Sequence, residues 1–263
     1  MSEFITLPWA GRQVQVEYAW LNAAGPKAPL MVFLHEGLGS LAMWKDFPAR
    51  LCSAVGARGL VFSRPGYGRS SARAAAEPLD VDYMHRQAYE VLPALLDALD
   101  IAQPVWLFGH SDGGSIALLH AGRFAPRVAG LILLAPHIFV EDITTAGIRQ
   151  AKNGYESGTL RDRLAPYHDD PDLAFWGWNH IWLKPAFARW NITDELVDIR
   201  CPVLAIQGLD DAYGTLAQIR GIAERLPATQ LLELPECGHS AHRDQPEQVI
   251  AATKAFIHNR RHV

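Results

Sequence analysis

Apolar residues in this chain follow two alternating rhythms. Short, nearly continuous apolar runs cover residues 29–35, 60–64, 104–109, 128–135 and 202–207, each bounded by Gly, Pro or charged residues. Runs of this length read as strands buried on both faces. A weaker alternation over 14–21 predicts an early strand, and 230–234 predicts a late one. Between the runs, apolar residues return at helical spacing over 41–55, 81–99, 115–124, 216–226 and 245–257. Pro93 must kink or split the second of these helices. From about 136 to 200 the rhythm breaks into several helical stretches without a clear strand. The expected architecture is therefore α/β: a mostly parallel sheet of about eight strands flanked by helices. A helical insertion follows the sixth strand, so that 1–136 and 200–263 form the core domain and 137–199 the insertion.

The chain has 263 residues, a length that suits one α/β domain better than two. Hydrophobic residues make up 49% and charged residues 20%, which excludes a disordered chain. No apolar run approaches the ~18 residues of a membrane span, and the first residues carry neither a basic nor an apolar leader segment. Net charge is −4 with Lys and Arg scattered, so no nucleic-acid partner is expected. Three widely spaced cysteines, Cys52, Cys201 and Cys237, suit a reducing compartment, and a cytoplasmic location is expected. No CxxC pair or HExxH helix is present, so the common zinc signatures are absent.

Candidate chemistry begins at 109–113, GHSDG, a G-x-S-x-G motif between a predicted buried strand and a predicted helix. A sharp strand-to-helix turn there exposes Ser111 as a nucleophile, and the helix N-terminus offers N–H groups to an oxyanion. The similar letters GHS at 238–240 lack the second small residue, because His242 occupies its place, so Ser240 takes no nucleophilic role. Ser111 needs a neutral imidazole as base. His239 suits that role because it follows a predicted strand and precedes the last helix, whereas His242 reads as a packing or hydrogen-bonding residue. The acid that orients the base comes from Asp210 or Asp211, at the end of the preceding strand. The resulting chain order is Ser, Asp, His.

Five segments carry a family resemblance: LHEGLGS at 34–40, SRPGYGRS at 63–70, GHSDGG at 109–114, QGLDD at 207–211 and GHSAHRDQPE at 238–247. Together they resemble the α/β-hydrolase superfamily, in the branch with a compact helical cap. The resemblance spans nearly the whole chain, least closely over the cap. It selects Asp211 over Asp210 as the acid, and it implies that Gly37 and Asp112 supply the backbone N–H groups of the oxyanion hole. Glu36 stands where the family usually has glycine and reads as a surface side chain on a turn, with a cationic part of a substrate as the alternative partner. His35 is expected to brace that loop, and Ser63 and Arg64 to serve structure. A cap roofs the triad in this family, so Trp176, Trp178, Trp182 and Phe139 are candidates to line an apolar substrate pocket.

The expected function is a serine hydrolase that cleaves a small or medium apolar carboxylic ester, or a thioester, through an acyl-enzyme. Its partner is then a small molecule, with no nucleic acid or membrane, and this chemistry needs neither a metal nor an organic cofactor. Carbon–carbon bond hydrolases, perhydrolases and acyltransferases use the same triad. A non-catalytic ligand-binding protein on this fold belongs to another class, separable by tight binding without turnover.

Overall fold

The computed structural model describes residues 2–22, 24–25, 27–72 and 78–260. An eight-stranded sheet runs in the order β1-β2-β4-β3-β5-β6-β7-β8. Its strands are β1 (Glu3–Trp9), β2 (Arg12–Leu21), β3 (Leu30–Leu34), β4 (Arg58–Phe62), β5 (Val105–His110), β6 (Val128–Leu134), β7 (Val203–Gly208) and β8 (Gln230–Leu234). From β4 to β8 all neighbours are parallel, while β2 runs antiparallel to both β1 and β4.

The inner parallel strands β3, β5, β6 and β7 are mostly apolar because both their faces are covered. Leu30, Val32 and Leu34 of β3 pack into one core, and Met31 and Phe33 into the other. In β5, Val105 and Leu107 pair off against Trp106 and Phe108 in the same way. Helices α1 (Phe47–Val55) and α10 (Pro246–Arg260) cover one face of the sheet. On the other lie α2 (Tyr83–Arg86), α3 (Leu92–Ala98) and α4 (Asp112–Arg123).

Between β6 and β7 come α5 (Asp142–Glu156), α6 (Thr159–Leu164) and α7 (Pro171–Trp182), with short 3₁₀ turns. The only pairing of strand type there, among the described residues, is an isolated bridge between Phe139 and Asn191. The Ile192 N–H donates to the Ile138 carbonyl at 2.8 Å, which ties the start of this segment to its end. The remaining helices are α8 (Ala217–Arg225) and α9 (Ala241–Asp244).

Three local features differ from the periodicity. The expected helix over 41–55 is a 3₁₀ turn, Leu41–Trp44, followed by α1, because Lys45 takes a φ of 54° that no helix continues through. The expected helix over 81–99 is divided by a π-helical turn, Gln87–Val91, just before Pro93. Proline has no N–H to continue an α ladder, and a widened turn absorbs the mismatch. Strand β1 is an additional edge strand. It joins β2 through Ala10 and Gly11, whose φ values of 52° and 73° make a tight two-residue hairpin turn. Its alternation is weak because Leu7 is buried while Phe4 faces solvent.

Candidate active site

Strand β5 ends at His110 and α4 starts at Asp112, so Ser111 alone makes the turn, with φ 53° and ψ −122°. A side-chain-bearing residue in such a conformation costs ~1–3 kcal/mol and persists only where its surroundings enforce it. Here the strand and helix are drawn close together. A Cβ on Gly109 would collide with the Gly113 carbonyl, and one on Gly113 with the Leu34 carbonyl. The Ser111 N–H donates to the Leu134 carbonyl at 2.9 Å, and its own carbonyl accepts from Gly114 and Ser115 N–H groups at 2.8 and 3.1 Å.

The carboxyl edge of the sheet brings two later loops to this turn. His239 Nδ1 donates to Asp211 Oδ1 at 2.8 Å and lies 3.0 Å from Oδ2. Asp211 also accepts from the Tyr213 N–H at 2.8 Å and from Gln207 Nε2 at 3.1 Å. Burial works against the Asp211 charge, but the His239 hydrogen bond and charge and the Tyr213 N–H outweigh it. Its carboxyl is held below the usual range. Asp210 is exposed, and among the described residues no hydrogen bond joins it to His239.

The loop after β3, where the oxyanion hole is expected, is braced by His35. Its Nε2 accepts from the Arg64 N–H at 3.0 Å, and its Nδ1–H donates to the Glu36 carbonyl at 2.7 Å. That pair of bonds fixes a neutral tautomer, and burial with the neighbouring Arg64 charge keeps the ring's pKa well below its ordinary value. Arg64 is itself buried, donates to the Glu36 carbonyl at 2.8 Å and stands 4.0 Å from Asp112. Gly37 sits directly under Trp178, whose indole would collide with any Cβ there. The Asp112 N–H opens α4 and so has no partner within the helix.

Glu36 does not sit as a free surface side chain. It curls inward, with Oε2 3.5 Å from His110 Nδ1 and Oε1 3.6 Å from Arg243 Nη2. Burial opposes its charge, but His110 and Arg243 more than compensate and hold its carboxyl well below the usual range. His110 Nε2 donates to the His239 carbonyl at 2.9 Å. Glu36 therefore links the loop after β3, the serine turn and the loop that carries His239. His242 is packed among Trp44, Phe47 and His110, with ring centroids 4.9, 5.5 and 4.9 Å away.

A cavity of about 120 Å³ opens at Ser111. Gly37, Asp112, His239, Trp178 and Trp182 all line it. Trp176 is half-buried, stacks on His180 and lies outside that wall. Phe139 lines a different, wider groove of about 800 Å³. Trp182 packs instead between the cavity and the insertion's own core, with Phe187 5.0 Å and Trp190 6.4 Å from its ring.

Sequence reasoning passed over His137. Its Nε2 lies 3.4 Å from Ser111 Oγ, and among the described residues no hydrogen bond joins Ser111 to His239. His137 follows β6, which lies beside β5 in parallel, so the residue after β6 reaches the same edge as Ser111. That adjacency was the available signal. Burial, and after it the His239 charge, push the His137 pKa down to about 3, so the ring is neutral. Among the described residues no cluster of three or more His, Cys, Asp or Glu side chains could hold a metal ion.

The parallel order of the sheet and the strained serine turn at its carboxyl edge define an α/β hydrolase. A family model described as the alpha/beta hydrolase family matches residues 31–252, and the chain belongs to that family. It is 29% identical over 90% of its length to the dihydrolipoyllysine-residue acetyltransferase component of an acetoin-cleaving system from Pseudomonas putida. It is 30% identical over 76% of its length to protein phosphatase methylesterase 1 from Bos taurus. The chain spans 66% of the first relative's length and 49% of the second's. Among solved structures, a thermophilic esterase from Thermogutta terrifontis superposes with a TM-score of 0.70 at 22% identity, covering 98% of both chains. That likeness shows the fold. Among the described residues, no helix is long and apolar enough to cross a membrane.

Proposed function

We propose that this hydrolase cleaves a small carboxylic ester, or a thioester of similar size, through an acyl-enzyme on Ser111. The observation that carries this reading is the Asp211–His239 hydrogen bond, delivered to the same sheet edge as the Ser111 turn, above a small cavity. Segment 137–199 acts as the cap, contributing Trp178 and Trp182 to the cavity wall. Ser111 Oγ turns from His137 to His239, which takes its proton as Oγ attacks the carbonyl carbon. Asp211 holds the imidazole by Nδ1 and stabilises its cation. The Gly37 and Asp112 N–H groups bind the oxyanion. His239 then gives the proton to the leaving oxygen or sulfur, and water releases the acid by the same steps in reverse roles. A cavity of about 120 Å³ is well below the ~300–1,000 Å³ of ordinary ligand pockets, which supports a short acyl group. The name of one relative, a methylesterase, agrees with ester chemistry.

The test is covalent. An alkyl fluorophosphonate should add one label, on the peptide containing Ser111, and abolish turnover of short esters. Ser111→Ala should lower kcat by about 10⁴- to 10⁶-fold. A label on Ser240, or retained turnover in the variant, removes the assignment.

A further inference from the structure

His137 is the residue at this site that the triad leaves without a task. It is 3% exposed, its Nε2 touches Ser111 Oγ, and its Nδ1 has no hydrogen-bond partner. Its place is rigidly set. Ser115 Oγ donates to the His137 carbonyl at 2.6 Å and accepts from its N–H at 3.1 Å. The ring packs edge-on against Trp182 at 4.9 Å and nearly parallel to His239 at 5.9 Å. Because it stays neutral, it cannot act as a second charged acid or base near neutral pH; it can only donate or accept a hydrogen bond.

Catalysis changes its situation. Once the Ser111 hydroxyl turns to His239, the His137 ring loses the one hydrogen bond it makes among the described residues while still buried. Buried polar groups left unpaired are costly, so the position favours a ligand that supplies a replacement. Tyr213 also lines the cavity and packs on His239 at 4.9 Å, and its hydroxyl bonds to no described residue. Leu38, Ile148, Trp178 and Trp182 give the cavity apolar walls, while of its other polar side chains Glu36 and His110 face each other and the Thr144 hydroxyl donates to the Tyr213 carbonyl. A short acyl group with one oxygen near its carbonyl would satisfy both kinds of surface.

Resting on the serine-hydrolase reading, we propose that His137 is a specificity-determining residue that hydrogen-bonds an oxygen on the second or third carbon of a short acyl group. The enzyme would accordingly prefer esters of small hydroxy or oxo acids over those of simple fatty acids of equal size.

Matched methyl esters test this: lactate against 2-methylpropanoate, and 3-hydroxybutanoate against 3-methylbutanoate, in which a hydroxyl replaces a methyl. The ratio of kcat/KM within each pair is compared between wild type, His137→Phe and His137→Gln, so that intrinsic ester reactivity cancels. His137→Phe should lower the oxygenated-to-alkyl ratio by about 5- to 150-fold in at least one pair. His137→Gln, which keeps an amide near the Nε2 position, should retain most of it. An unchanged ratio in His137→Phe overturns the proposal. So do equal falls in both variants, which would make the role steric. Labelling of Ser111 by fluorophosphonate in each protein separates the two levels. A labelled, active wild type with an unchanged ratio removes only the His137 role. A wild type that is unlabelled and cleaves neither ester removes the serine-hydrolase reading with it.

Discussion

Replacing Asp211 with Asn keeps the side chain's shape but removes its charge and one of its two acceptors. Four contacts converge on the carboxylate: His239 Nδ1 at 2.8 and 3.0 Å, the Tyr213 N–H at 2.8 Å and Gln207 Nε2 at 3.1 Å. An amide can place its oxygen toward His239 and Tyr213 only by turning its NH₂ group toward the Gln207 amide. Gln207 cannot flip freely, because the same nitrogen donates to the Gly214 and Thr215 carbonyls at 2.8 and 3.1 Å. The reverse orientation faces His239 with a donor and selects the wrong imidazole tautomer. Either way one buried donor loses its acceptor, a cost of ~1–3 kcal/mol in stability.

The catalytic loss is larger, because no orientation restores the charge that stabilises the imidazolium. By analogy with the same change in a serine-protease triad, kcat should fall about 10⁴-fold, equivalent to ~5.5 kcal/mol. Asp210→Asn, on an exposed side chain, should cost less than about tenfold. Steady-state hydrolysis of a short ester and thermal unfolding, measured on both variants, give the two quantities. Acid sensitivity adds a third. The folded-state pKa of Asp211 is depressed, so its stabilisation is complete above the ordinary carboxylate value near ~3.9 and is lost as pH falls through the lower folded value. The wild type should therefore lose part of its advantage over Asp211→Asn in that acidic window. A greater kcat loss in Asp210→Asn, or losses below about tenfold in both, would refute the reasoning.

Trp178→Ala should cost about 3–5 kcal/mol in stability and move the preferred acyl length upward, because it removes a cavity wall. Each further buried CH₂ is worth ~0.8 kcal/mol, so kcat/KM across an acyl series should rise about fourfold per methylene in the enlarged pocket. Trp176→Ala, outside the cavity and half-buried, should destabilise less and leave the acyl-length profile in place; a profile shifted by Trp176→Ala instead would reverse the two roles. Gly37→Ala should lower kcat by about 10²- to 10³-fold by displacing an oxyanion donor, since its Cβ meets the Trp178 indole. Near-normal kcat in Gly37→Ala, measured on the same short ester, would move the donor elsewhere in the loop.

Much of the fold was legible because burial leaves a local mark. Strands buried on both faces must be apolar at nearly every position, so β3, β5, β6 and β7 stood out as nearly continuous runs. The serine turn was legible for a related reason. The collision of any side chain at Gly109 or Gly113 confines those positions to glycine, and that leaves a pattern in five consecutive residues. Strand β1 left little trace, since one of its faces meets solvent and only Leu7 is deeply buried.

By itself, the sequence determined the alternating α/β architecture, the helical segment after the sixth strand, the strand-to-helix turn at Ser111 and a chain order of Ser111, an aspartate at 210 or 211, and His239. Between the two aspartates, the family resemblance selected Asp211. Only the tertiary structure decided what surrounds that turn. His137 reaches Ser111 across 26 positions because β5 and β6 lie side by side. Glu36 meets Arg243 across the distance between the first and last thirds of the chain. Trp178 faces the cavity while Trp176, two residues away on the same helix, does not. The physical reason is common to all three. Periodicity records whether a side chain is buried, but which neighbour it meets there is set by strand order and helix docking, and those are properties of the whole chain.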